Sequence, residues 1–279
     1  MAKLFPMREP TAALRSGQVE RLMQTYPDAF ADRGEAVGFL RSIHLPFSRS
    51  WAFKSNPKCG TSSTKRVLFF LEFGVPLTVH LKTDNDINPE KVVHDLSEAH
   101  VFRTAYQTPN GFRQARKALR LTTVRNPLTR ARSAFLYLCW SDELQHQWFS
   151  KERLRMNALV GFDWDNDPGT ETGMLKFLDF IEQCSETQGA HTLNVHWRPQ
   201  ALAAKDDVFA PDLIGRAEAL PDFYQEIAER LDRPLPPDMS RTHTNAGTAA
   251  HDVDLLTPAV RRRVREIYSR DFEIYGYEP

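Results

Sequence analysis

A chain of 279 residues with 41% hydrophobic and 26% charged side chains has the composition of a globular protein with one sizeable core, which excludes disordered and fibrous classes. Lys plus Arg and Asp plus Glu balance at 36 each, so no global field holds the chain on nucleic acid or an anionic membrane, and any anion site must be local. The first residues lack an apolar signal-peptide core, no stretch approaches the ~20 apolar residues of a spanning helix, and three scattered cysteines fit neither a disulfide framework nor a cysteine-based zinc site; the sequence reads as soluble and cytoplasmic, with reduced thiols.

The opening, over roughly 10–42, is polar and expected to be helical. "SWAFKSNP" (50–57) predicts a short strand running into a turn at Asn56-Pro57. The following segment, Thr61 to Phe73, has helical length and an apolar second half (Val67, Leu68, Phe69, Phe70, Leu71) that suits packing on a sheet. "PLTVHL" (76–81) is a second strand candidate, "INPEKVVHDLSEAH" carries His94 and His100, "NGFRQARKAL" predicts a short helix, and "LRLTTV" (119–124) a clear strand. Asn126 as N-cap and Pro127 at the first helical position open the next helix.

Further on, "GTETGMLKFLDFIEQCSE" predicts an amphipathic helix with Met174, Phe177, Leu178, Phe180 and Ile181 inward. Leu213 and Ile214 mark one more strand, "DFYQEIAERL" another helix, and Thr257-Pro258 the start of a last one with Val260, Val264, Ile267 and Tyr268 at helical spacing. The arginines at 261, 262, 263 and 265 are expected on its solvated face, and "FEIYGY" as a packing tail. Alternating strands and helices predict an α/β fold, a central parallel sheet with flanking helices, whose ligand crevice lies at the carboxyl ends of the strands. No Gly-, Ser- or Pro-rich linker divides the chain. One domain over 1–279 is therefore expected, a helical extension (1–48) followed by the core (49–279).

Two strand-to-helix loops carry anion chemistry. In the first, Lys58 offers a point charge, Gly60 lets backbone approach a ligand, and Thr61, Ser62, Ser63 and Thr64 set hydroxyls beside the amides of a helix start. That combination suits a phosphate or sulfate; the plainer alternative is a helix N-cap. A triphosphate-binding Walker loop fits poorly, because Lys58 precedes the single glycine instead of following a G-K-S/T pattern, and no strand ends in an acidic pair for Mg²⁺. In the second loop, Arg125 at a strand end and Ser133 eight residues on suit one phosphate, although an arginine at a helix start also commonly pairs with a surface acid.

Together "NPKCGTSSTKRVL" and "VRNPLTRARSAF" resemble the nucleotide signature of the P-loop sulfotransferases, which use 3′-phosphoadenosine-5′-phosphosulfate (PAPS). The second loop has the form R-(D/N)-P-x-x-R-x-x-S. More narrowly, the chain is similar to the carbohydrate sulfotransferase family that holds the HNK-1, chondroitin, dermatan and heparan 2-O enzymes and bacterial members. "NVHWRPQ", "DLIGRAEAL" and "YSRDFEIYGY" resemble recurring segments of that family, so the likeness runs from about 50 to 277. The resemblance implies that Lys58, Cys59, Gly60, Thr61, Ser62 and Ser63 cradle the 5′-phosphosulfate, that Arg125 and Ser133 hold the 3′-phosphate, and that the chemistry needs no metal. The product would be adenosine 3′,5′-bisphosphate (PAP), and the partner a small-molecule, glycan or glycolipid acceptor.

Sulfuryl transfer is expected to follow an in-line path with a loose transition state. Lys58 would stabilise the leaving phosphate oxygen, and a histidine would accept the acceptor's proton. His94 lies in the interval where relatives carry that histidine, with His100 as the alternative and a surface position as the bland reading of either. His196, Trp197 and Arg198 suit a sugar ring and an anion, though Trp197 could equally be core. Thr242, His243 and Asn245 mark a further loop near the nucleotide or acceptor. The competing readings are an ATP-dependent kinase of P-loop type and a nucleotide-binding module without turnover.

Overall fold

The computed structural model describes residues 10–79, 91–140, 149–237 and 254–278. In chain order its elements are α1 (Ala12–Thr25), α2 (Arg33–Arg41), β1 (Ile43–Leu45), β2 (Trp51–Lys54), α3 (Thr61–Phe73), α4 (Lys91–Asp95), β3 (Arg103–Thr104), α5 (Gly111–Ala115), β4 (Leu119–Val124), α6 (Pro127–Trp140), α7 (Ser150–Val160), α8 (Glu171–Gln188), α9 (Gln200–Ala204), α10 (Asp206–Phe209), β5 (Leu213–Arg216), α11 (Leu220–Leu231), α12 (Pro258–Ile267) and α13 (Ser269–Tyr275). The chain forms two compact units. One runs up to Val124 and takes in Ala203–Thr244; the other comprises Arg125–Leu202 and the segment from Asn245 on.

The first unit holds a five-stranded sheet in the order β3-β1-β2-β4-β5. β2, β4 and β5 are parallel neighbours, as expected; β1 runs antiparallel to both β2 and β3, so the sheet is mixed. β2 is buried along its whole length, and its side chains alternate between two cores. Trp51 and Phe53 pack with Val67, Leu68 and Leu71 of α3 and Phe223, Tyr224 and Ile227 of α11, whereas Ala52 joins Val19, Leu22, Phe39 and Leu40 from α1 and α2. Helices therefore cover both faces, the arrangement that a strand buried on two sides requires.

The strand anticipated over 76–81 is not formed in its described part, 76–79. Val75 and Val79 stay exposed, and the Leu77 carbonyl accepts from Arg66 of α3 instead of a ladder partner. Conversely, β1 and β3 were not anticipated from sequence. Three and two residues long, they are too short to show an alternating pattern and exist through pairing with each other and β2.

The second unit is helical. Phe135 and Leu138 of α6, Phe177 and Ile181 of α8, and Val260 and Val264 of α12 share one core with Trp197 and Phe272. Thr257 caps α12 as its sequence predicts, accepting from the Val260 amide. The arginine run is not simply a solvated face, because Arg263 reaches α8 and pairs with Asp179 at 2.8 Å and Glu182 at 2.9 Å.

Candidate active site

The segment between β2 and α3 is a loop built from its own hydroxyls and amides. Asn56 is buried; its Nδ2 donates to the Thr123 carbonyl of β4 at 3.2 Å, and its carbonyl accepts from Thr61 Oγ1 at 2.8 Å and from the Cys59 amide at 3.3 Å. The loop is thereby braced against the carboxyl end of β4. Thr64 Oγ1 donates to the Gly60 carbonyl at 3.0 Å and lies 3.3 Å from Tyr224 Oη. Two of the four consecutive hydroxyls, those of Thr61 and Thr64, thus hold the loop together. The Cys59 thiol is buried, so this residue offers a ligand its backbone alone.

Lys58 and Gly60 are both left-handed, with φ of 68° and 76°. A lysine held there stores strain of about 1 kcal/mol or more, which persists when the surroundings over-determine it and is concentrated at functional positions. The N-cap of α3 is Gly60, which has no side chain to offer it, and the positive end of the helix dipole lies at this loop. At Gly60 a Cβ would come within 2.6 Å of Leu220 Cδ1. Gly60→Ala is expected to lower stability by about 1–3 kcal/mol through the left-handed backbone and this clash. Thermal denaturation checks it, with Leu220→Ala restoring the steric part only.

In the second unit, Arg125 follows directly on the last residue of β4. Asn126 Oδ1 accepts from the Leu128 amide at 2.9 Å, the turn that starts α6. The Arg125 Nε donates to Thr129 Oγ1 at 3.0 Å. Thr129 and Ser133 stand four apart on one helix and so share a face, which puts the Arg125 guanidinium and the Ser133 hydroxyl along one stripe. The backbone of Arg125 is held on both sides by the Gln200 side chain, whose Oε1 accepts from the Arg125 amide at 2.8 Å and whose Nε2 donates to the Arg125 carbonyl at 2.8 Å. Asp271 in turn caps α9, accepting from the Gln200 amide at 2.7 Å and the Ala201 amide at 2.9 Å. Burial raises the Asp271 pKa, opposed by those two amides.

Sequence reasoning missed Arg130, Gln200 and Asp271. Arg130, the second arginine of the R-N-P-x-x-R-x-x-S run, is buried and donates to the carbonyls of Arg198 at 2.9 Å and Val195 at 3.2 Å. A charged residue on the apolar side of α6 was the signal available for it. Trp197 is 1% exposed and packs on Phe149 and Phe177. It belongs to the core and offers no face to a sugar. Arg198 donates through Nε and Nη2 to the Leu193 carbonyl, and His196 Nδ1 lies 2.8 Å from Asn194 Oδ1, its ring beside Tyr137 and Phe149. Thr242, His243 and Asn245 lie outside the described residues.

Back in the first unit, His94 sits on α4 and is open to solvent. Its pKa is pushed down to about 4, first by the protein packed around it and then by the charge of Lys65, with Asp95 opposing. Lys65 in α3 is 4% exposed, and burial brings its pKa to about 8. His44 of β1 is buried with Nδ1 3.0 Å from Ser97 Oγ; burial, then Lys65, His94 and Lys54, hold its pKa well below the usual imidazole value. The fold gathers His44, Lys65 and His94 into one electrostatic group that the sequence did not reveal. His100 is half-buried, with a left-handed φ of 56°.

His44 makes stability depend on pH. With the folded pKa depressed, the unfolded chain binds more protons below about 6.5, so stability rises with pH through that window and is lost on acidification. The melting temperature is expected to fall from about pH 7 to about pH 5, and His44→Gln to fall less steeply. Equal slopes in the two proteins would exclude His44.

The family model described as the sulfotransferase family matches residues 53–278. No curated protein and no solved structure matches the chain.

Proposed function

The chain belongs to the sulfotransferase family, and from that premise we propose that it moves the sulfuryl group of PAPS to a hydroxyl of a carbohydrate or glycan-like acceptor. The observation that carries this reading is the loop before α3, where a strained left-handed Lys58 and a glycine N-cap, Gly60, lead into the helix start. A cation beside the positive end of a helix dipole fits a phosphosulfate. The guanidinium of Arg125, oriented by Thr129, and the Ser133 hydroxyl fit a 3′-phosphate. Lys58 to Ser63 would hold the 5′ end of the nucleotide, with Cys59 and Gly60 contributing backbone.

When bound, PAPS supplies a sulfuryl group already activated on a phosphate leaving group. The protein's own residues do the rest. His94 accepts the proton of the acceptor hydroxyl as its oxygen bonds to sulfur, with His100 the alternative base, and Lys58 with the α3 amides takes up the charge that develops on the departing phosphate oxygen. His196 and Arg198 are proposed to face the acceptor; Trp197 supports them from the core.

Titration calorimetry with PAP, and with ATP plus Mg²⁺, tests the reading: PAP is expected to bind the more tightly, and a preference for ATP would sink it. Transfer of labelled sulfate from PAPS across a panel of saccharides, glycolipids and small alcohols then identifies the acceptor class.

A further inference from the structure

Arg125 follows directly on Val124, the last residue of β4, and its backbone is held by the Gln200 side chain. Its amide accepts from the Arg125 N–H and donates to the Arg125 carbonyl, both at 2.8 Å, the two-way exchange that a peptide makes in a ladder. Gln200 is wholly buried, so neither bond competes with water.

The segment that delivers Gln200 is itself fixed from two other helices. Arg130 of α6 holds the Val195 and Arg198 carbonyls, the Tyr268 hydroxyl donates to the Trp197 carbonyl at 2.7 Å, and the Asp271 carboxylate receives the Gln200 and Ala201 amides at 2.7 and 2.9 Å. The route runs from α13 through Asp271 and Gln200 to Arg125, and its guanidinium end is set by Thr129.

We propose that Gln200 and Asp271 are positioning residues for the 3′-phosphate of the nucleotide, acting through the backbone of Arg125; this rests on the sulfotransferase reading above. They touch no ligand. They fix the φ and ψ of Arg125 so that its guanidinium meets the phosphate without reorganising.

The test compares PAP with AMP, which lacks the 3′-phosphate, by calorimetry on the full chain. Wild type is expected to prefer PAP by about tenfold or more, the worth of a charge-assisted contact. Gln200→Met, isosteric but without hydrogen bonds, is expected to erase most of that preference while AMP affinity stays within about threefold. Asp271→Asn should reduce the preference in the same direction. Because the PAP-to-AMP ratio is internal to each variant, a general loss of stability does not mimic the result. If Gln200→Met does not fold, Gln200→Glu keeps the acceptor toward the Arg125 amide and reports the missing donor. A ratio unchanged in the folded variants overturns the positioning role alone; a wild type that does not distinguish PAP from AMP overturns the 3′-phosphate reading, and this inference with it.

Discussion

Lys58→Ala is expected to lower kcat/KM for sulfuryl transfer from PAPS by about 10²–10³, the loss that follows removal of one preorganised charge at a developing oxyanion. PAP affinity should fall less, because the ammonium's largest contribution comes when the leaving oxygen carries its full charge. The left-handed φ of 68° at Lys58 supplies a control. Lys58→Gly removes the same ammonium but relieves the backbone, so it should melt higher than Lys58→Ala by about 1 kcal/mol of stability while being just as impaired in transfer. The pair separates the loop's conformational energy from its chemistry. Transfer in Lys58→Ala within tenfold of wild type would remove Lys58 from the breaking bond.

The parts of this molecule that could be read from its sequence are those whose signal is local. α3 and β4 fall at the residues expected, because an apolar run with a Gly stop and a short segment ending in Thr-Thr-Val announce themselves without partners. The N-caps before α6 and α12 are equally local. What the sequence hid depends on residues far apart. Gln200 reads as an ordinary polar residue until the fold sets it against Arg125, 75 positions away. The packing-tail reading of "FEIYGY" accounts for the buried Phe272 and Tyr275, yet the neighbouring Asp271 caps α9. Trp197 carried two readings in the sequence, a ligand platform beside His and Arg or a core residue, and its burial selects the core. Lys65 was passed over because a lysine within a hydroxyl-rich helix start resembles solvated surface; the fold buries it beside two histidines.

That buried lysine leads to the second large effect. His94→Ala is expected to reduce transfer by about 10²–10⁴ while leaving PAP affinity unchanged, as befits a base that meets the acceptor and not the nucleotide. An imidazole whose pKa is pushed to about 4 is neutral throughout the physiological range. Its proton affinity is modest, which suits a loose transition state in which the acceptor's proton leaves late. Solvent at the exposed ring screens part of the push, so the acid limb of kcat/KM should lie between that value and the ordinary one near 6.5. Lys65→Met removes the positive charge facing His94 but keeps its apolar surroundings; Asp95 on the same helix, and His44 and Lys54 across the group, remain. The acid limb should then move to higher pH, since the cation that opposed protonation is gone, while the buried site loses a charge it had to desolvate. A limb that does not move in Lys65→Met, with transfer lost in His100→Ala and retained in His94→Ala, would transfer the role of base to His100.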